Sequence, residues 1–350
     1  MPSPEQVYHL LRPRLHPIRL SLVIPMYNEE ATIPFLRAAV TEFLRDLPAE
    51  TEVIVVNDGS TDATLVKVAE WATDEARVKV IHLSRNFGHQ LAATAGLDYA
   101  HGDAIVLIDA DLQDPLSVIH EMVERFRQGY DVVYGQREAR PGDGVFKRFS
   151  AWAFYRLMRT IVARHLPVDT GDFRLLSREC LDGLQQMREQ HRFLRGMVAW
   201  VGYPQCAVKY RRDPRVAGST KYPLSKMLRF AWTAATSFST LPLQISIVLG
   251  MLAGLLGIEE AVRAVVALLA GRTVPGWTSL MVVISILGCA VLIGIGIVGQ
   301  YVGKIYEESK GRPLYLVART FNVSSAEEPN RSGNAARTAD CAGESHRGRE

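Results

Sequence analysis

The sequence predicts an α/β protein in which a doubly wound sheet is followed by a pair of membrane-length apolar segments. Three observations predict it. Over the first 136 residues, short apolar runs alternate with helix-like stretches, the pattern of strands joined by crossover helices. The run Ala104-Ile105-Val106-Leu107-Ile108 empties into Asp109, Asp111, Gln113 and Asp114, which gathers acids at a strand's C-terminal end, the edge where open α/β sheets bind ligands. Beyond Arg229 lie two stretches without a charge, Phe230 to Ile258 with 29 residues and Thr273 to Gly303 with 31, each longer than the roughly 20 needed to cross a bilayer.

Five strands are expected in the N-terminal part: Leu20 to Ile24, Glu52 to Val56, Val78 to Leu83, Ala104 to Ile108 and Asp131 to Tyr134. Continuous apolar runs of this length suit parallel strands covered on both faces. The loops at their C-terminal ends carry Pro25-Met26-Tyr27-Asn28-Glu29-Glu30, then Asn57-Asp58-Gly59-Ser60-Thr61-Asp62, then the acidic cluster. All three are expected to converge on one cleft. From Val145 to Lys221 the pattern is weaker, with a helix-like stretch near Phe149 to Val162 and short strands near Phe173 and Val208.

The first uncharged stretch contains Pro242 and Gln244, so Phe230 to Thr240 is expected to lie at the interface as an amphipathic helix, with the crossing starting near Leu241. The resulting division is a catalytic domain over 1–228, a membrane unit over 229–303 with crossings at about 241–269 and 276–303, and a tail over 304–350, disordered from about 320. A hairpin buried in a soluble core is the plainer alternative. Seven Lys or Arg against one Asp lie between Lys209 and Arg229, whereas only Arg263 and Arg272 accompany Glu259 and Glu260 between the two stretches. The positive-inside rule then predicts an integral, multi-pass membrane protein with its catalytic domain and C-terminus in the cytoplasm. The first 20 residues show no signal-peptide h-region.

At 350 residues, with 48% hydrophobic and 22% charged content, the chain has room for two domains and an apolar appendage. Its formal net charge of +3 conceals the basic stretch before the first apolar segment, which suits a membrane surface. No nucleic-acid motif accompanies it, and nucleic acid is not expected as a partner. The four cysteines are scattered without C-x-x-C spacing and read as reduced fillers. Gly294-Ile295-Gly296-Ile297-Val298-Gly299 matches a dinucleotide fingerprint but sits inside an apolar segment with no strand before it. The spacing of Gly250 with Gly254, and of Gly299 with Gly303, instead permits close helix packing, including contacts in a homo-oligomer.

The chemistry is expected at the strand ends. Asp109, Asp111 and Gln113 offer hard oxygen ligands at alternate positions, which suits Mg²⁺ or Mn²⁺, and such ions keep few protein ligands and bridge to substrate phosphates. The plainer reading is an acid-rich helix N-terminus before Pro115. In Asn57 to Asp62, Gly59 permits a tight turn, Ser60 or Thr61 is suited to cap the next helix, and Asp58 is left to accept hydrogen bonds, as from the N–H edge of a nucleobase. The alternative is that Asp58 and Asp62 only complement a helix dipole.

Seven segments, in order, resemble one family: Pro25-Met26-Tyr27-Asn28-Glu29, Asn57-Asp58-Gly59-Ser60, Ser84-Arg85-Asn86-Phe87-Gly88, Asp109-Ala110-Asp111, Asp169-Thr170-Gly171-Asp172-Phe173-Arg174-Leu175, Arg192-Phe193-Leu194-Arg195-Gly196 and Ala217-Gly218-Ser219-Thr220-Lys221-Tyr222. The combination is similar to family 2 glycosyltransferases of the GT-A fold, in particular the polyprenyl-phosphate transferases of the dolichyl-phosphate mannose synthase branch with two C-terminal membrane helices. The resemblance implies a GT-A, Rossmann-like nucleotide-sugar domain with interface helices and a two-helix transmembrane hairpin. By position it implies that Tyr27, Glu29 and Asp58 surround the nucleoside with Pro25 shaping the loop. Asp111 and Gln113 would then hold the metal on the donor diphosphate, Asp109 would contact metal or sugar, and Asp172 would stand beside the acceptor. Two departures stand out: many relatives have a second Asp where this chain has Asn57, and Lys-Glu where it has His89 and Gln90. No catalytic role is assigned to these three.

The implied reaction is metal-dependent, inverting transfer of a sugar from a nucleotide-sugar donor, UDP-linked with GDP the other candidate, onto polyprenyl (undecaprenyl) phosphate at the cytoplasmic leaflet. The acceptor phosphate, with a second pKa near ~6, is already largely ionised at neutral pH and needs little help from a base. It does need cations, which Arg137, Lys147, Arg148, Arg192, Arg195, Arg212, Arg215 and Lys221 supply, with Ser150 as a further donor. The resemblance points most to Lys147 to Ser150 and to the loop through Arg215 and Lys221. Two rivals are a processive polysaccharide synthase, which would carry a Q-x-x-R-W motif and more spans, and a non-catalytic lipid-binding scaffold. The sugar is left open among glucose, N-acetylglucosamine, mannose and aminoarabinose.

Overall fold

The structure is a computed structural model, and it describes residues 11–15, 19–46, 50–137, 170–212, 241–271, 277–324 and 327. The five expected strands form close to their expected limits: β1 Arg19–Met26, β2 Glu50–Asn57, β3 Val78–Leu83, β4 Ala104–Leu107 and β5 Val132–Arg137. Strands β4, β1, β2 and β3 lie side by side in parallel. The helices between them are α1 Ile33–Asp46, α2 Thr64–Asp74, α3 His89–Asp98 and α4 Val118–Arg127.

The rest of the sheet departs from the parallel expectation. β6, Thr170–Ser177, inserts between β4 and β5 and runs antiparallel to both. β7, Gln205–Tyr210, lies parallel to β5 at one edge, and β8, Val317–Phe321, closes the other edge antiparallel to β3. The outcome is a mixed sheet of eight strands in the order β7-β5-β6-β4-β1-β2-β3-β8. The departure arises at β6 itself: Phe173, Leu175 and Leu176 pack into the two cores, but the buried Asp172 and Arg174 break the continuous apolar run that marks a parallel strand.

Alternation along the strands builds a core on each face. Leu22, Ile24, Val53, Val55 and Val106 pack with Leu36, Trp71 and Met122 from α1, α2 and α4. Val23, Ile54, Val56, Ile105 and Leu107 face α3 and two further helices, α5 Arg178–Gln186 and α6 Leu194–Val201. Helix α3 approaches closely because it presents Ala92, Ala93, Ala95 and Gly96. A Cβ at Gly96 would collide with Val23 and come within 2.9 Å of Val56 Cγ2. That approach sets the start of α3 directly over the strand ends.

Two long helices follow, α7 Leu241–Leu269 and α8 Trp277–Ser309. They pack antiparallel, with Gly257 against Leu287 and Gly294 against Ser246. Gly250, Gly254, Gly299 and Gly303 face open space, so among the described residues the G-x-x-x-G pairs are not the contact between the two helices. Among the described residues one helix, Ile286–Ser309 of α8, is long and apolar enough to cross a membrane, and the apolar stretch Ser246–Glu259 of α7 is shorter. Glu259 on α7 is paired to Arg263 at 2.6 Å. The expected interface helix over Phe230 to Thr240, and the helix-like stretch Phe149 to Val162, lie outside the described residues.

After α8 the chain returns to the catalytic body. β8 joins β3, Asn322 Nδ2 donates to the carbonyls of Ala72 and Val78, and Glu327 pairs with Lys79 at 2.5 Å. Side-chain bonds to the body thus continue past position 320.

Candidate active site

The first two loops clasp each other. Asn28, in the left-handed region at φ 53°, accepts from the Thr61 N–H through Oδ1 at 2.9 Å, while its own N–H donates to Ser60 Oγ at 2.9 Å. Glu29 N donates to Thr64 Oγ1, and Ala63 N donates to Glu30 Oε2, both at 2.9 Å. Ser60 and Thr61 are therefore used in this clasp and not as helix caps. Helix α2 begins further on, at Thr64, whose N–H donates to Asp62 Oδ1 at 3.0 Å. Pro25 lies in register with Val56, Tyr27 is exposed, and Glu29 accepts from Thr32 Oγ1 at 2.7 Å.

Asp58 organises the third loop. Its two oxygens accept the N–H groups of Phe87 at 2.7 Å and Gly88 at 2.9 Å, and the residue is buried. Burial pushes its pKa up, with the two N–H bonds opposing that rise. Gly59, at φ 62°, lies against the Arg85–Asn86 peptide so closely that any Cβ would collide with it. Together these contacts place Gly88, at φ 97°, and launch α3 with His89 at its first position.

Four carboxylates converge next to that position. His89 Nε2 stands 3.2 Å from Asp172 Oδ2 and 3.6 Å from Asp109 Oδ1. Gln90 Nε2 donates to Asp172 Oδ2 at 3.1 Å while its Oε1 accepts from Leu194 N at the start of α6. Arg195 Nε donates to Asp172 Oδ1 at 2.8 Å, and buried Arg174 lies 3.9 Å away. Burial raises the Asp172 pKa, but the His89 bond and the Arg195 and Arg174 charges outweigh it and hold the carboxyl far below its usual range. Arg174 itself, pushed down by burial to about 10, remains a cation.

Asp109 behaves oppositely. Burial together with the charges of Asp172, Asp114 and Asp111 raises its pKa, despite the neighbouring His89. Asp111 is buried, accepts from Gln113 N at 3.2 Å and lies 3.7 Å from Arg212 Nη2. The intervening Leu112 sits at φ 54°, a costly conformation for a branched residue and one found at functional turns. Asp114 accepts from the Tyr210 hydroxyl and lies 3.6 Å from Arg212 Nε and 3.9 Å from Arg137 Nη2. Its other oxygen, Oδ2, is buried without a hydrogen-bond partner among the described residues. Gly171 makes room for the Arg137 guanidinium, since a Cβ there would lie 2.5 Å from Nη2.

Of the acceptor cations expected from the sequence, Arg137, Arg195 and Arg212 reach the carboxylates. Arg192 turns away, donating to the Met187 carbonyl. Lys147, Arg148, Ser150, Arg215 and Lys221 lie outside the described residues. Sequence reasoning assigned no role to His89 and Gln90 and overlooked Arg174 and Tyr210. The available signal for the first two was position: they open α3 directly after Gly88, in the loop that follows β3, as the other site loops follow β1, β2 and β4.

A divalent cation fits this donor set. The oxygens are hard, burial and the neighbouring acids raise the proton affinity of Asp109, and one buried carboxylate oxygen, Asp114 Oδ2, has no hydrogen-bond partner among the described residues. A compact group of Glu52, His101 and Glu327, with ligand atoms within 4.8 Å of one another, lies at the opposite end of the sheet. There Arg19 and Lys79 already neutralise Glu52 at 2.5 and 2.8 Å.

The mixed α/β sheet with these acids at its strand ends is the frame of a GT-A type glycosyltransferase. The model of glycosyl transferase family 2 matches residues 21–184. The glycosyltransferase YkcC of Bacillus subtilis (strain 168) is 43% identical over 87% of this chain and 95% of its own length. The bactoprenol glucosyl transferase of Shigella phage SfV is 40% identical over 86% of this chain and 98% of its own. The chain belongs to glycosyl transferase family 2. Among solved structures, the mannosyltransferase PcManGT of Pyrobaculum calidifontis, in complex with GDP-Man and Mn²⁺, aligns over 83% of this chain and 94% of its own at 18% identity and a TM-score of 0.42.

Proposed function

We propose that the protein transfers a sugar, glucose first among the candidates, from a UDP-sugar to undecaprenyl phosphate at the cytoplasmic face of a membrane in which it is anchored by α7 and α8. The observation that carries this reading is the contrast between Asp172 and Asp109. Held ionised by Arg195 and His89, Asp172 is a poor proton acceptor and suits a nucleophile that needs no deprotonation, as a phosphate does. The names of relatives about 40% identical, which are bactoprenol glucosyl transferases, support the same acceptor class and sugar.

In this mechanism Tyr27, Glu29 and Asp58, with Pro25 shaping the loop, form the nucleoside end of the cleft. Asp109, Asp111 and Gln113, with Asp114 beside them, would hold Mg²⁺ or Mn²⁺, which when bound supplies charge stabilisation at the leaving diphosphate. Arg137 and Arg212 lie next to these acids, where they orient phosphate oxygens, and Arg195 fixes Asp172 against the attacking phosphate's side of the sugar. A single displacement inverts the anomeric centre. Lys147, Arg148, Ser150, Arg215 and Lys221 are proposed to complete the acceptor site.

The test is release of UDP by the purified full chain from UDP-glucose, with and without undecaprenyl phosphate and with and without EDTA. Release that requires both lipid and divalent ion supports the proposal. Transfer to a sugar hydroxyl in place of the lipid, or transfer untouched by EDTA, overturns it.

A further inference from the structure

Away from the carboxylates, a cavity of about 260 Å³ opens between the catalytic body and the end of α8. Phe87, Leu91 and Leu314 line its apolar part, and Arg85, Lys310 and Arg312 give it positive charge. Arg85 lies over the Phe87 ring at 4.0 Å, and Lys310 Nζ lies 4.1 Å from the Tyr306 ring. Among the described residues none of these three cations has an ion-pair partner. The acid in the wall, Glu307, is paired with His191 at 2.7 Å, and its neighbour Glu308 accepts from Gln190 N.

The position of the cavity narrows the ligand. The uncharged run of α8 ends at Gly303 and the helix itself at Ser309, and Lys304, Lys310 and Arg312 follow that run within nine residues, with Glu307 and Glu308 among them. Cations placed directly after a membrane span sit at headgroup level and attract anionic lipid. An apolar floor with a cationic rim fits a molecule that is both greasy and negative. None of Asp109, Asp111, Asp114 and Asp172 lines this cavity, and the segment that forms one wall, Arg85 to Phe87, is tied to the site through the Asp58 side chain that accepts the Phe87 N–H.

We propose that this cavity binds the phosphodiester headgroup of an anionic membrane glycerophospholipid. The inference rests on reading α8 as a membrane span, but its readout needs no sugar transfer, so failure of the enzymatic proposal would be seen separately. The experiment follows thermal stabilisation of the purified full chain in neutral detergent as phosphatidylglycerol is titrated, with phosphatidylcholine as control. The wild type is expected to be stabilised by phosphatidylglycerol alone. Joint replacement of Lys310→Ala and Arg312→Ala is expected to weaken that response by about 30-fold in lipid concentration. The charge-keeping pair Lys310→Arg and Arg312→Lys should restore it, which separates lost charge from damaged folding. Equal stabilisation of wild type and alanine variant, or none in the wild type, would overturn the proposal. So would the same stabilisation by inorganic phosphate, or displacement of phosphatidylglycerol by undecaprenyl phosphate, which would make this a soluble-anion or an acceptor site.

Discussion

Opposite ends of the sheet, the start of β2 and the end of β4, each carry an acid cluster, and the two are built differently. At the start of β2, Glu52 accepts from Arg19 at 2.5 Å, Ser21 Oγ at 2.5 Å, Lys79 at 2.8 Å and the His101 N–H at 2.9 Å. At the other end, the ion pairs of Asp109, Asp111 and Asp114 span 3.6 to 3.9 Å, and Asp114 Oδ2 has no hydrogen-bond partner among the described residues. Both clusters carry the cost of removing carboxylates from water; among the described residues Glu52 is met by four donors, whereas one buried oxygen of Asp114 is met by none. A saturated acid cluster is a structural lock, and an incompletely satisfied one is a place for a ligand's charge. Asp172 lies in the second cluster but is satisfied like the first, as the proposed mechanism requires of an acid that positions and does not exchange protons.

The comparison breaks most visibly if catalysis and stability fail to separate between the two ends. Asp111→Asn should lower transfer by about 10³-fold, the scale seen when a group stabilising transition-state charge is removed, while leaving the melting temperature near that of the wild type. A sugar-transfer assay and a thermal melt on the same preparation decide it. A variant that unfolds, or that keeps its turnover, would remove the distinction.

The reverse outcome is expected at the lock. Glu52→Gln leaves Arg19 and Lys79 short of a buried partner and should cost about 3 kcal/mol of stability, with kcat of the folded fraction unchanged. Burial raises the Glu52 pKa, but Lys79, Ser21 and the His101 N–H lower it further, to below its ordinary 4.5. A depressed carboxyl pKa contributes stability above the unfolded-state value and loses it as pH falls through the folded-state value. The gap between wild type and Glu52→Gln should therefore be full at neutral pH and close on acidification below 4.5. Denaturant titrations across that range measure it, and a gap that widened in acid would refute the sign.

Smaller effects test the third loop. His89→Ala should lower kcat by about 10 to 100-fold, as loss of a residue that orients a site ligand does, because Asp172 loses one of its two contacts to α3 and keeps only that of Gln90. His89→Lys, which places a hydrogen-bond donor at the same position, should recover most of it. A purely structural role would show equal loss in stability for both variants, so the melt of each is the control.

Much of this arrangement was legible before the fold was known, and the boundary is physical. Strands β1 to β5 announced themselves because covered parallel strands need continuous apolar runs, and the loops of Asp58 and Asp109 were placed by following those runs to their ends. What pattern could not supply was long-range pairing. His89 meets Asp172 across 83 positions, and Tyr210 meets Asp114 across 96. Neither pair leaves a periodic trace. Strand β6 was read only as a short strand near Phe173, because buried Asp172 and Arg174 interrupt its apolar pattern, and its insertion between β4 and β5 depends on partners far away in the chain. Strand β8 was missed because it is short and follows a long apolar helix.

The smallest prediction concerns the sign of a stability change at the incomplete cluster. Asp109 is pushed toward its neutral form by burial and by three neighbouring carboxylates, so its negative charge works against the folded state when no cation is present. Asp109→Asn keeps the shape and removes that charge. In EDTA the variant should melt slightly above the wild type, by no more than about 1 kcal/mol, since a part-exposed charge is screened by water. Added Mn²⁺ should stabilise the wild type and barely move the variant, because the ion and the substitution relieve the same repulsion. At Glu52 the same Asp-or-Glu-to-amide change destabilises and Mn²⁺ has no bearing on it. Opposite signs for one chemical substitution at the two ends of the sheet would be the most direct measure of which cluster is complete without a ligand, and a destabilised Asp109→Asn protein in EDTA would mean that both ends are structural.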